Sequence, residues 1–364
     1  MKTIITIFIF CFVFCFFLNA QKISGNFSQL SNQEIRLEGF NGLNTYPISK
    51  TVIDENGVFE LSYSPNDKGV GYLISTSEKP LFVILSGEEI EIVGEALSYT
   101  QTIKITKSQE NQWFGQYAKE HPQREQALSA WIYLEKIYTL DSLFTVQKTP
   151  NQAIQIEKQR IRSEDALFLS KLPKDSYVSW FLPTRKLVSS VSNVAQYQPE
   201  NIPATISAFR AIDYSDKRLY KSGLLKDAIE SHFWLIENSG KTLVSVFVEL
   251  KLSIDVLLKD LIKDEKILNE VTDYLFDLLE RHSLFRASEY LALKVLNEVS
   301  CTIESDLAKQ LESYRAMKKG NIAPNINFGN STYLNGAKQT IFKSLTYLTT
   351  PYTLVFFGAS WCPK

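Results

Sequence analysis

Four residues, Trp361-Cys362-Pro363-Lys364, carry the most chemical information in this chain. They follow an apolar run from Thr353 to Ala359, which reads as a strand buried on both faces. A cysteine that a strand delivers to the first turn of a helix meets unpaired backbone N–H groups and the positive end of the helix dipole. Both favour thiolate over thiol, and such surroundings bring a cysteine pKa from about 8.5 into the range ~3.5–7.5. Pro363 suits that first turn, where its missing N–H costs little. The chemistry is thiol–disulfide exchange: one thiolate attacks a substrate disulfide and a second thiol resolves the mixed disulfide. In a C-x-x-C site the second cysteine would be the residue after Lys364. Cys362 is therefore the one catalytic candidate.

The remaining chemistry-bearing residues point to less. Cys301, in Glu298-Val-Ser-Cys-Thr-Ile303, has no x-x-C neighbour and reads as a buried small hydrophobe. His121, His232 and His282 are far apart, with no ligand-spaced neighbours, so no metal site and no cofactor is expected. No G-x-S-x-G or phosphate-cradling glycine loop is present, which leaves a Ser-His-Asp triad open but unsupported. A formal net charge of −1 gives no basic excess for nucleic acid or an anionic membrane surface.

The elements that position these residues change character along the chain. Residues 21–107 show period-two alternation in Glu34–Glu38, Val58–Tyr63 and Glu89–Val93, separated by turn signals such as Asp54-Glu-Asn-Gly57. This predicts a β-sandwich. From residue 108 to 320 the period becomes helical. Trp113 and Tyr117, then Trp131, Leu134 and Tyr138, fall three and four apart on one face. Pro122, Pro150, Pro173, Pro183, Pro199 and Pro203 predict several helices of modest length. The charged stretch from Lys259 to Lys266 reads as a solvated helix face. Residues 319–325 read as a linker, Asn335-Gly336 as a hairpin turn, and 321–364 as the start of a further unit. The fold class is thus multidomain α+β.

The N-terminus differs in kind. Thr3 to Leu18 carries no charge, and Asn19-Ala20-Gln21 ends the run. This predicts a secretory signal peptide at 1–20, cleaved after Ala20, and export to the periplasm or cell envelope. The run is short of the roughly 20 residues that span a bilayer. Cys11 and Cys15 follow Phe10 and Phe14, which disfavours a lipoprotein signal, and they leave with the signal. Two cysteines then remain, too few for a disulfide framework.

Ala323-Pro324-Asn-Ile-Asn-Phe328, Leu334-Asn-Gly336 and Thr353 to Lys364 together resemble the start of TlpA/ResA-like thioredoxins, the thiol-disulfide oxidoreductases of the bacterial envelope. The family pattern is A-P-x-F, a D-G hairpin and a strand into W-C-x-x-C; Asn325-Ile326 and Asn335 depart from it. Ser24-Gly25, Asp54-Glu-Asn-Gly-Val-Phe59 and Ser108-Gln-Glu-Asn111 resemble an uncharacterised β-rich domain that precedes such modules. The resemblance is good over the last 42 residues and weak over the rest of the mature chain. It implies a thioredoxin-like α/β start at 321–364, incomplete as it stands, with protein thiols or disulfides as partners, a membrane-linked redox donor and no nucleic acid. It carries over only Cys362. On this reading the sequence is C-terminally truncated, and the fragment by itself is expected to be inactive. Two alternatives remain: a non-catalytic envelope binding or scaffold protein, and a peroxiredoxin-like peroxidase, whose motif would place Thr where Ala359 stands.

Overall fold

The computed structural model describes residues 21–298 apart from Ser77, together with Ala316, Gly320, Thr332–Leu334, Ala337–Gln339 and Pro351. The protein is mixed α+β, with sheets at the N-terminal end and a helical middle. The chain divides into two compact units between Leu278 and Leu279. The expected signal peptide, the 353–359 strand, Trp361–Lys364 and Cys301 lie outside the described residues.

The first unit begins with eight strands: β1 (Gln21–Phe27), β2 (Glu34–Asn41), β3 (Asn44–Val52), β4 (Val58–Tyr63), β5 (Gly69–Ser75), β6 (Leu81–Leu85), β7 (Ile90–Gly94) and β8 (Lys104–Lys107). They form two four-stranded sheets, ordered β4-β1-β7-β8 and β3-β2-β5-β6. Every neighbouring pair is antiparallel except β1 with β7, which is parallel. The alternation read from the sequence becomes a core. In β4, Phe59, Leu61 and Tyr63 are buried while Val58, Glu60 and Ser62 are exposed. Ile23, Phe27, Phe59 and Leu61 of one sheet share a single cluster with Ile35, Leu37, Leu73 and Val83 of the other. Burial of that apolar surface, at roughly 25 cal/mol per Å², is the main force holding the sheets together.

Two of the motifs noted above have structural jobs here. Gly25 lies opposite both Phe59 and Ile92. A Cβ there would sit 2.2 Å from the Ile92 carbonyl oxygen and 2.8 Å from the Phe59 ring, so only glycine allows this approach. In the turn before β4, an Asp54 carboxylate oxygen accepts from the N–H of Asn56 at 2.9 Å and of Val58 at 2.8 Å. Gly57 takes φ +83°, and its carbonyl accepts from Phe27 N–H at 2.8 Å.

The helices follow: α1 (Gln109–Leu140), α2 (Lys148–Ser170), α3 (Tyr177–Tyr197), α4 (Ile202–Arg210), α5 (Lys217–Tyr220), α6 (Leu225–Glu237), α7 (Leu243–Leu261) and α8 (Glu265–Arg281). Two prolines behave otherwise than expected. Pro122 and Pro183 lie inside α1 and α3 and end neither. An interior proline costs about 3 kcal/mol. In α1 the turns on both sides are held by burial of Phe114 and Tyr117 before it and Leu128 and Ile132 after it, which keeps the helix in register. The charged stretch 259–266 is also not one helix face. It spans the end of α7 and the turn into α8, where Asp260 accepts from Tyr214 N–H and Asp264 from Ile267 N–H, each at 3.2 Å.

Sheets and helices interlock within this unit. Ser108 takes φ +85° and caps α1. The Glu110 carboxylate accepts from the N–H of Tyr177 at 3.1 Å and of Val178 at 2.9 Å, capping the first turn of α3 with negative charge. Lower in the unit, Val70 N–H donates to the Lys221 carbonyl at 2.8 Å, Gly42 N–H to the Tyr220 carbonyl at 2.9 Å, and Leu43 N–H to Glu270 at 2.9 Å.

In the second unit, α9 (Phe285–Glu298) buries Ala287, Leu291, Ala292 and Val295. Strands β9 (Thr332–Leu334) and β10 (Ala337–Gln339) pair antiparallel with Leu334 opposite Ala337, flanking the Asn335-Gly336 pair.

Candidate functional site

No cysteine falls among the described residues, so Cys362 has no described geometry. Of the three histidines, His282 follows α8 in the second unit. His121 and His232 each gather polar partners in the first unit. These two clusters are where described side chains could do chemistry.

The first cluster ties α1, α2 and α3 together around Asp165. The Asp165 side chain is only 4% exposed. His121 Nδ1–H donates to its Oδ1 at 2.9 Å, Lys186 Nζ donates to its Oδ2, and Arg124 Nη1 stands 3.9 Å away. Burial works to raise this carboxyl. The hydrogen bonds and charges of His121 and Lys186 overcome it and hold the pKa at about 2. Tyr117 stacks on the His121 ring at 4.6 Å, fixing its orientation. Cavities of about 310 and 220 Å³ lie beside Lys186 and Asn193, at or below the lower end for ligand pockets.

This arrangement suits structure better than catalysis. A general base works best with a pKa near the working pH, and Asp165 is held far below it. Sequence reading missed the cluster, although its signal was present. The buried positions of α2 are Ile154, Lys158, Ile161 and Asp165, so two charges stand on the core stripe at spacings of four and three. Charges at such positions require buried partners. Lys158 has one in Glu135, and Asp165 has the group just described.

The second cluster resolves the question of a serine triad for the described histidine–serine pair. His232 on α6 and Ser253 on α7 are each 1% exposed, with Ser253 Oγ 3.0 Å from His232 Nε2. Arg210 Nε donates to the same Oγ at 2.9 Å. Ser253 Oγ thus accepts from Arg210 and pairs with Nε2 of the ring. Nδ1 has no hydrogen-bond partner, so no carboxylate orients the ring as in a triad. Burial, and then the Arg210 charge, push the His232 pKa down to about 3. The ring stacks on Phe209 at 5.2 Å. This is a neutral core histidine closed off from substrate.

Among the described residues no group of three or more His, Cys, Asp or Glu could hold a metal ion. No helix among them is long and apolar enough to cross a membrane. No family model, no curated protein and no solved structure matches this chain.

Proposed function

We propose that the protein is an exported thiol-disulfide oxidoreductase in which Cys362 is the attacking thiol. A sandwich and helices precede a thioredoxin-like redox module. The observation that carries this reading is the apolar run Thr353–Ala359 entering Trp361-Cys362-Pro363. The Cys362 thiolate attacks one sulfur of a substrate disulfide. A new S–S bond forms to Cys362, and the other substrate sulfur leaves as a thiolate that takes a proton from solvent. A second thiol then attacks Cys362 Sγ, and the substrate departs as a dithiol, reduced by two electrons supplied by the two thiols. The partners are protein thiols or disulfides, with a membrane-linked donor as the source of reducing equivalents.

Glutathione disulfide tests the first step on the full chain. Mass spectrometry should find glutathione on Cys362, with one equivalent of glutathione released. Cys362→Ser should abolish the adduct and Cys301→Ser should leave it. Adduct formation confined to Cys301, or absent from both, would refute the assignment. Export is tested separately: protein from the native host should begin at Gln21.

A further inference from the structure

We propose that Arg185 on α3 is a binding site for a carboxylate carried on an aromatic body. Its guanidinium carbon lies 5.6 Å from the centre of the Phe82 ring on β6 and 5.3 Å from that of Phe114 on α1. Both distances fall within the roughly 6 Å over which a ring face attracts a cation. The clamp is fixed from both sides. Phe114 is buried against Phe181 of α3, 6.0 Å away. The Asn111 side chain bonds the main chain of Ile84, which ties α1 to β6 close to both rings.

The guanidinium held there lacks what other partly buried arginines of this unit have. Arg124, Arg210 and Arg218 pair with the carboxylates of Glu120, Glu249 and Asp216. Arg185 forms no hydrogen bond and no ion pair among the described residues. Burial pulls its pKa below the ordinary value, and no carboxylate is among the groups that oppose the shift. An arginine keeps its charge even so, and it carries five N–H donors in a planar fork. Ring faces offset part of the charge but give those donors no oxygen to bind. A carboxylate matches the fork with two parallel hydrogen bonds.

The sheet beside Arg185 supplies a surface for the rest of the ligand. Tyr72 on β5 stands opposite Phe82, with ring centroids 4.6 Å apart. Phe40 on β2 continues the row, 5.0 Å from Tyr72. These three rings and Arg185 are half-buried, and aromatic rings of a ligand pack well on such a row. The Tyr72 hydroxyl makes no hydrogen bond among the described residues and offers one more donor. Asp227 acts on the same hydroxyl and would repel a second negative charge, which selects a carboxylate over a doubly charged phosphate. The inference needs no chemistry at Cys362.

Isothermal titration calorimetry on the full chain tests this with 3-phenylpropionate and its amide, which keeps the ring and loses the charge. A free acid and a polypeptide end both carry this chemistry, so the tripeptide Gly-Gly-Phe and its C-terminal amide repeat the comparison for a chain end. In at least one pair the acid should bind about tenfold more tightly than the amide, as expected for hydrogen bonds to a charged group; the pair that does so identifies the source. Arg185→Met keeps an apolar stem between the rings and should remove that preference, with unchanged circular dichroism. Tyr72→Phe keeps its ring and should weaken the acid by about fivefold, one neutral hydrogen bond, which preserves the test should Arg185→Met not fold. Absent or equal binding of acid and amide in both pairs would overturn the proposal. So would tighter binding of inorganic phosphate than of either acid, or an undiminished preference in folded Arg185→Met.

Discussion

Both polar atoms of the Asn111 side chain pair with the main chain of Ile84: Oδ1 accepts its N–H and Nδ2 donates to its carbonyl, each at 2.7 Å. Strand β6 is the last strand of its sheet, and the asparagine amide takes the place of the next strand. Asn111 is fully buried, so water has no easy route to replace it.

Asn111→Ala should therefore cost about 3 kcal/mol, because it orphans a buried donor and a buried acceptor at ~1–3 kcal/mol each. Asn111→Asp should cost more, since it keeps the acceptor but loses the donor and buries a charge. Urea unfolding midpoints measure both. A midpoint unmoved by the alanine would mean that water satisfies Ile84 after all.

This pair also shows what was legible in the sequence. The strands at 34–38, 58–63 and 89–93 follow from period-two alternation, since it reports directly which face meets the core. The helical middle follows from three-and-four spacing. The Ser108-Gln-Glu-Asn111 motif was visible as a motif, but its meaning was not. Ile84 and Val178 are 27 and 68 residues from their partners Asn111 and Glu110, and no local pattern encodes such pairings. Pro122 misleads for a related reason: local propensity predicts a break, while buried side chains on both flanks outweigh it. Cys362 could be read only through its motif, because it lies outside the described residues.

Gly25→Ala should destabilise the paired sheets by about 3 kcal/mol, the upper part of the range for overpacking. The new methyl would meet the Ile92 carbonyl oxygen and the Phe59 ring. The backbone oxygen cannot rotate away, so β1 and β7 must separate. Hydrogen exchange should quicken in β1, β4 and β7 before the helices respond. Unchanged protection there would show that the strands absorb the methyl.

His232 should make the protein acid-sensitive. The unfolded chain binds a proton at this ring near 6.5, while the folded chain does so only near 3. Between those values the unfolded state holds more protons, so stability falls as pH falls. Each tenfold difference in proton affinity between the two states is worth about 1.4 kcal/mol, so the loss down to about pH 4 should be on the order of 3 kcal/mol. Asp165 adds its own loss only below its ordinary value of 3.8, as pH falls toward about 2. His232→Gln should be less stable at pH 7 but show a flatter stability profile between about pH 6.5 and 4. A profile parallel to wild type would place the acid-sensitive group elsewhere.

The Asp165 cluster offers a test of structure against function. Asp165→Ala removes the acceptor shared by His121 and Lys186 and leaves the imidazole and the ammonium facing a gap. Breaking a buried ion pair costs about 3–5 kcal/mol, and Lys186 is 37% exposed, so about 2–3 kcal/mol is expected after solvent screening. Replacing the whole group by apolar residues of similar shape, His121→Phe, Asp165→Leu and Lys186→Met, should recover most of that loss, because no charge is then left unpaired. The phenylalanine keeps a ring for Tyr117 to stack on. Glutathione transfer to Cys362 should be the same in the wild type and the triple variant. If the variant is stable yet transfers tenfold more slowly, the cluster acts on the redox chemistry and is not solely a clasp between three helices.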